Sequence, residues 1–144
     1  MTNYYNKVVR IISQNITLDW LEPHKNKNHD IGICSGFFIN NKGYILTCAH
    51  CVINTKNIYF EIPNNGKEKY EAEIIKVCPD YDIAILKSIN YKNNNNFFKL
   101  INLSNFDNIK SGTEVLSVGF PLGSDNLKIT TGVISGDRKS TRLN

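Results

Sequence analysis

The chain has 144 residues, of which 41% are hydrophobic and 21% charged, and its formal net charge is +4. This length suits one domain with a substantial core. The small net charge, without a basic cluster, argues against nucleic-acid binding, and no apolar run approaches the length that spans a membrane. We therefore expect a globular protein with no nucleic-acid and no membrane partner.

The amino-terminal segment gives an expectation about location. Residues 1–7 lack the apolar core of a signal peptide. They predict an intracellular, cytoplasmic protein. Because such compartments are reducing, the four cysteines are expected to be mostly free thiols.

Short apolar runs alternate with Gly- and Asn-rich segments along the whole chain, and no helical periodicity persists. The predicted strands cover residues 7–13, 34–39, 44–47, 57–62, 70–77, 82–89, 113–120 and 127–134. Residues 40–43 and 64–66 carry hairpin signals, and the Asn-Asn-Gly of the second is typical of a type I′ turn. Residues 91–96 predict a polar loop. Strands joined by short turns predict an all-β fold, an antiparallel β-barrel.

A histidine ends one predicted strand and an aspartate begins another. His50 follows the strand at 44–47, and Asp82 precedes the apolar run that contains Ala84. Such a pair suits two members of a Ser-His-Asp triad, in which histidine moves the proton and aspartate orients it. The other histidines, His24 and His29, lie in a polar stretch and are expected at the surface.

The sequence contains two alternatives to this pair. Asp80 competes with Asp82, because two residues apart in an extended segment they face the same way. Cys48 and Cys51 form a C-x-x-C pair around His50, but a single pair is a weak zinc signal. Residues 119–123 lack a phosphate-binding lysine and are expected to form a turn. We predict no metal and no cofactor.

Four segments then occur in a recognisable order: residues 35–39, 43–50, 82–87 and 118–123, with 129–135 following the last. They contain Ser-Gly-Phe, Gly-Tyr-Ile-Leu-Thr-x-x-His, Asp-x-Ala-Ile-Leu-Lys and Val-Gly-x-Pro-x-Gly. Together they resemble the trypsin-like serine proteases and, within them, the HtrA/Deg family. The resemblance covers residues 8–136. The separation of 32 residues between His50 and Asp82 is also similar to that family.

The resemblance implies roles for individual residues. His50 would be the catalytic base and Asp82 its orienting acid, since the family's aspartate stands directly before x-Ala-Ile-Leu; Asp80 is then a turn residue. Trypsins carry a disulfide beside the catalytic histidine, at nearly the spacing of Cys34 and Cys51. HtrA/Deg proteins usually lack it, so free thiols stay the expectation.

The resemblance also implies an architecture and a substrate class. The family fold has two six-stranded barrels, so residues 1–118 would form the first barrel and residues 119–136 the start of a truncated second. Substrates would be unfolded or damaged polypeptides, bound without metal or cofactor, and a homo-oligomer is allowed by the resemblance alone.

The expected nucleophile is missing from the sequence. No Gly-x-Ser-Gly-Gly segment occurs in the 144 residues. We therefore expect a serine endopeptidase fragment that has histidine and aspartate but no activity of its own. The alternatives are a non-catalytic, peptide-binding barrel (a pseudoprotease) and a cysteine nucleophile on the same fold. The residue at the serine position of a Gly-x-Ser-Gly-Gly segment further along the gene decides among them.

Residues 137–144 differ from the rest of the chain. They hold two of the three arginines, and the same eight residues arise by translating a common sequencing adapter. They are predicted to be a non-native tail. A truncated second barrel should also leave apolar side chains without a full core, namely Val115, Val118, Phe120, Ile129, Val133 and Ile134.

Overall fold

The computed structural model describes residues 4–17, 28–91, 96–99, 110–121, 124 and 126–135. Over these residues the protein is built from eight strands, and its helical structure is limited to three-residue 3₁₀ helices, which confirms the all-β prediction. The strands are β1 (Val8–Thr17), β2 (Asn28–Phe38), β3 (Tyr44–Thr47), β4 (Asn57–Glu61), β5 (Lys69–Cys78), β6 (Ile83–Ser88), β7 (Glu114–Gly119) and β8 (Lys128–Val133). No helix in the described part is long and apolar enough to cross a membrane.

Strands β1 to β6 form a closed antiparallel barrel. Their order is β1-β2-β3-β6-β5-β4, and pairing of β1 with β4 closes it. Between β3 and β6, Thr47 lies opposite Ala84. Because these two strands are antiparallel, the end of β3 meets the beginning of β6. This pairing determines where the residues that follow β3 and precede β6 are placed.

The barrel interior is filled by large aliphatic and aromatic side chains. Burial alternates along β3 and along β6, as expected for strands with one face on a core. Phe38 packs edge-on against Phe60, with ring centroids 5.9 Å apart. The largest fully buried side chains are Phe38, Phe60, Ile11, Ile45, Ile62, Leu86, Val9 and Val52.

The antiparallel pairing of β1 with β2 extends beyond the apolar runs that predicted the two strands. The predicted strands ended at residue 13 and began at residue 34, whereas pairing continues out to Thr17 opposite Asn28. Backbone hydrogen bonds need no apolar side chain, so a ladder can continue through polar residues. His29 lies in this extension, and His24 lies outside the described residues.

The two turn predictions had different outcomes. In the turn at 40–43, Gly43 has a positive φ of 86°, which glycine adopts without steric cost. The turn at 64–66 is not a two-residue type I′ turn, because a 3₁₀ helix at Pro63–Asn65 separates β4 from β5. The fixed φ of Pro63 suits the first position of such a helix. Gly66 follows it with a φ of 72°.

Strands β7 and β8 form a separate two-stranded sheet. Every residue of β8 is exposed. Val115, Ile129 and Val133 are exposed as expected, but Phe120 is buried, with 5% of its surface accessible. Its backbone N–H donates a 2.7 Å hydrogen bond to Ser35 Oγ on β2, which holds the residue against the barrel.

Two expectations about chain organisation meet the structure differently. The expected boundary after residue 118 falls inside β7, whose partner is β8. The proposed tail, residues 137–144, lies outside the described residues, as do residues 92–95 of the predicted polar loop.

Candidate catalytic site

His50 lies on a 3₁₀ helix directly after β3. The helix, Ala49–Cys51, has Cys48 at its N-cap position and alternates buried and exposed side chains. Ala49 is 1% exposed, and Val52 just beyond the helix is fully buried. These small apolar anchors fix the turn on the barrel while the His50 side chain, 69% exposed, faces outward.

Asp82 lies on the neighbouring connection, just before β6. The preceding 3₁₀ helix, Pro79–Tyr81, ends when the Asp82 N–H donates to the Pro79 carbonyl oxygen at 3.1 Å. Asp82 itself adopts the left-handed conformation, with φ 56° and ψ 45°. Aspartate tolerates this region better than most residues. In this conformation the Asp82 carboxylate reaches His50 at the end of β3.

The structure brings His50 and Asp82 together through two hydrogen bonds. The His50 backbone N–H donates to Asp82 Oδ1 at 2.8 Å. His50 Nδ1 lies 2.6 Å from Asp82 Oδ2. Both carboxylate oxygens are used, so the carboxylate plane is fixed relative to the imidazole. Asp80, the alternative acid, is exposed in the preceding 3₁₀ helix.

These bonds also set the electrostatics of the pair. The pKa of Asp82 is lowered from its ordinary value, first by the His50 backbone N–H and then by the His50 side chain. The carboxylate is therefore ionised at neutral pH. An ionised carboxylate can only accept, so Nδ1 carries the proton of the neutral imidazole. Nε2 is left as an acceptor, which is the form a general base requires.

A disulfide stands beside the pair, where free thiols were expected. Cys34 on β2 is bonded to Cys51, the residue after His50, across a Cα–Cα distance of 6.3 Å. The free-thiol expectation is therefore wrong for these two residues, and the trypsin-like alternative is the one observed. That expectation depended on a reducing compartment, which was inferred from residues 1–7 alone. Cys48 and Cys78 remain free.

The C-x-x-C zinc interpretation depended on both sulfurs. Cys51 cannot serve as a thiolate ligand while it is in the disulfide, so Cys48 and Cys51 do not form a metal-binding pair. Sequence reasoning gave no separate role to Cys48. It also missed Ser35, whose hydroxyl joins the barrel to Phe120. The only sequence signal for Ser35 was its place at the start of the Ser-Gly-Phe segment.

An apolar groove of about 660 Å³ lies between Asp82 and β7. Asp82 and Cys48 lie on its wall. The apolar residues that line it come from both sheets and from the segment around residue 98, and include Phe37, Leu46, Phe98, Leu116 and Val118. The groove can receive an apolar side chain beside Asp82.

Comparison with known proteins gives consistent matches. Residues 34–143 match the trypsin-like peptidase domain. A probable periplasmic serine endoprotease DegP-like from Pseudomonas fulva is 35% identical over 106 residues, 74% of this chain and 20% of the relative. The corresponding protein of Buchnera aphidicola is 34% identical over 117 residues, 81% and 23%. The magnetosome formation protease MamE of Paramagnetospirillum magneticum is 30% identical over 109 residues, 75% and 14%.

Two facts follow from these matches. The chain spans about a fifth of the length of the DegP-like relatives, 20% and 23% for the two described. The expected intracellular, cytoplasmic location is wrong, because these relatives are named periplasmic enzymes. The expectation depended on residues 1–7 alone, and the start of a chain that spans a fifth of its relatives carries no information about location.

Proposed function

Because the chain belongs to the trypsin-like peptidase family, and within it to the HtrA/Deg serine endoproteases, we propose that His50 and Asp82 are two members of a Ser-His-Asp triad. The observation that carries this proposal is the pair of hydrogen bonds from His50, at 2.8 Å and 2.6 Å, to the two oxygens of one carboxylate. The proposed nucleophile is a serine of the full-length gene product that lies outside these 144 residues.

Each residue has one task in this mechanism. His50 Nε2 takes the proton from the serine hydroxyl as it attacks the peptide carbonyl, and returns it to the leaving amine. Asp82 keeps the proton on Nδ1 and stabilises the imidazolium that forms. The bond from the His50 backbone N–H matters here, because it fixes the carboxylate even when the imidazole rotates.

The remaining elements are assigned as follows. We place the second barrel's start at β7 rather than after residue 118, since β7 pairs with β8 and not with a barrel strand. The apolar groove beside Asp82 suits apolar side chains of unfolded polypeptides. A periplasmic, oxidising setting is consistent with the Cys34–Cys51 disulfide.

The test uses the full-length gene product that contains this chain. We expect casein hydrolysis and stoichiometric labelling by a fluorophosphonate. His50→Ala and Asp82→Asn should each lower kcat/KM by roughly 10⁴-fold or more. Asp80→Asn is the matched control, because it removes an equal charge two residues away, and should leave kcat/KM within about twofold.

The 144-residue chain alone supplies a second measurement. It should show no turnover and no label, because the expected nucleophile segment is absent from it. Labelling of this chain would mean that it contains a nucleophile of its own. Full-length protein that binds unfolded peptides without hydrolysing them would overturn the proposal in favour of the non-catalytic barrel.

A further inference from the structure

Cys48 is an exposed free cysteine on the wall of the apolar groove. The proposed Ser-His-Asp mechanism gives it no role. It occupies the N-cap of the helix that carries His50. One ligand atom from each of Cys48, His50 and Asp82 can be chosen so that all three lie within 4.8 Å of one another. A thiol, an imidazole and a carboxylate are thus neighbours at the end of β3.

We propose that Cys48, His50 and Asp82 form a binding site for a zinc ion. Zinc takes thiolate sulfur at about 2.3 Å and imidazole nitrogen or carboxylate oxygen at about 2.0–2.2 Å, in a tetrahedron. Those bond lengths require ligand atoms about 3.5 Å apart. The three atoms already lie within 4.8 Å, so small rotations of side chains suffice.

The exposure of the cluster permits those rotations. The His50 and Asp82 side chains are 69% and 47% exposed, and Cys48 is exposed as well. Three protein ligands leave one coordination position for water. The thiolate and the carboxylate together carry two negative charges, which balance the charge of the ion. Binding releases the Cys48 thiol proton to solvent.

A second cluster near His50 is closed to metal. Cys34, His50 and Cys51 also converge, but both sulfurs are bonded to each other. Zinc therefore has one thiol within reach of the imidazole as long as the disulfide is intact. The proposed site is distinct from a C-x-x-C site, because its second and third ligands are the triad residues.

Zinc and the catalytic arrangement exclude each other. Coordination uses the imidazole and the carboxylate that otherwise share the 2.6 Å hydrogen bond. If the proposed function is correct, zinc is a reversible inhibitor of the full-length enzyme, and this consequence depends on that proposal. Metal binding itself does not, since the 144-residue chain can bind zinc without a nucleophile. The two proposals can therefore fail separately.

The experiment measures zinc binding to the 144-residue chain with its disulfide intact, by calorimetry, and repeats it with cobalt as a spectroscopic substitute. We expect one ion per chain, with the visible bands of tetrahedral cobalt and a thiolate charge-transfer band. Cys48→Ser should abolish the charge-transfer band and weaken zinc binding at least tenfold. Asp82→Asn should also weaken it.

Two variants serve as matched controls. Cys78→Ser removes the other free thiol, and Asp80→Asn removes the nearby carboxylate; neither should change the affinity more than twofold. Absence of zinc binding would overturn the proposal. Binding that survives Cys48→Ser, or that appears only after reduction and is lost in a Cys34→Ser/Cys51→Ser variant, would overturn it too, since the metal would then use other sulfurs.

Discussion

The closed barrel and the β7–β8 sheet contain similar apolar strands but bury them very differently. On β6, Ala84 and Leu86 are buried, whereas on β8 every residue is exposed. Ile45 of β3 is fully buried, while Ile129 of β8 is 44% exposed. Strand-forming residues alone do not create a core. Closure by β1 and β4 gives the first six strands a common interior, and two strands alone have none.

The candidate site belongs to the closed side of this comparison. His50 and Asp82 are each exposed in part. The turns that carry them are nevertheless held side by side, because they adjoin β3 and β6, which pair in the barrel wall. The buried Ala49 and Val52 hold the histidine turn in place. The barrel can therefore hold His50 and Asp82 within hydrogen-bonding distance without contacts from β7 and β8.

The largest expected effect tests the barrel core directly. Phe38→Ala removes a fully buried ring that contacts Phe60 and Tyr91. Loss of burial and the resulting cavity should lower the free energy of unfolding by about 3–5 kcal/mol. The matched variant in the other sheet, Val133→Ala, removes a side chain that is 59% exposed and should change it by less than about 0.5 kcal/mol. Urea denaturation followed by circular dichroism measures both.

Similar losses for these two variants would break the comparison. They would mean that β8 is part of the same cooperative core as the barrel. The result expected here is a separation of several kcal/mol between the two variants, beyond the error of the extrapolation.

A buried ion pair between two barrel strands gives the next largest effect, and its arginine also bonds to the chain between β7 and β8. Arg10 Nη1 donates to Glu61 Oε1 at 2.9 Å, with both side chains more than nine-tenths buried, and Arg10 Nε donates to the Ser124 carbonyl at 3.2 Å. Glu61→Ala leaves a buried guanidinium without this carboxylate and should cost about 3 kcal/mol. Glu73→Ala, an exposed acid on β5, should cost less than about 0.5 kcal/mol.

Replacement of both partners distinguishes charge from packing. Arg10→Met combined with Glu61→Leu should recover part of the stability lost in Glu61→Ala, because it buries neither a guanidinium nor a carboxylate. If the double variant is as unstable as Glu61→Ala, the pair contributes through the packing of its side chains rather than through its charges.

A single hydrogen bond from the barrel to Phe120 gives a smaller effect. Ser35→Ala removes the hydroxyl that accepts from the Phe120 N–H at 2.7 Å. We expect a loss of about 1 kcal/mol, together with faster hydrogen exchange of the Phe120 amide. Ser13→Ala is a control within the barrel, since its 3.4 Å bond to the Gly32 carbonyl is long. An unchanged Phe120 exchange rate would show that the bond does not hold β7 to the barrel.

Local sequence patterns predicted much of the barrel. The strand at 44–47 is observed with the predicted bounds, and the strand predicted at 82–89 is observed at Ile83–Ser88. Alternating burial makes such strands recognisable, because the apolar positions repeat every two residues. The sequence indicated the closeness of His50 and Asp82 only through their triad-like placement at strand ends, because no local pattern predicts the pairing of β3 with β6.

The features that sequence reasoning missed depend on long-range contacts or on the environment. The Cys34–Cys51 bond depends on the redox conditions of the compartment, which residues 1–7 could not reveal. The polar end of the β1–β2 hairpin has backbone pairing but no apolar pattern. Phe120 is buried and its backbone N–H bonds to Ser35, 85 residues away, and no local signal indicates such a contact.

The smallest expected effect concerns the pKa of Asp82, and it tests whether the exposed turns that carry His50 and Asp82 are as ordered as the barrel core. The pKa of Asp82 is lowered from 3.8, chiefly by the His50 backbone N–H, so the unfolded chain binds a proton more readily than the folded one. The stabilisation is therefore complete above pH 3.8 and is lost as the pH falls through the folded-state pKa. Titration of the Asp82 carboxyl carbon by NMR should show its midpoint below 3.8.

The His50→Ala variant then separates the two causes. It removes the imidazole but keeps the backbone N–H that is the larger cause of the shift, so the midpoint should rise only part of the way toward 3.8. A midpoint that returns completely would show that the 2.8 Å backbone bond does not form without the side chain. The turns that carry His50 and Asp82 would then be held together by the imidazole contact alone. They would resemble the exposed β7–β8 sheet more than the barrel core.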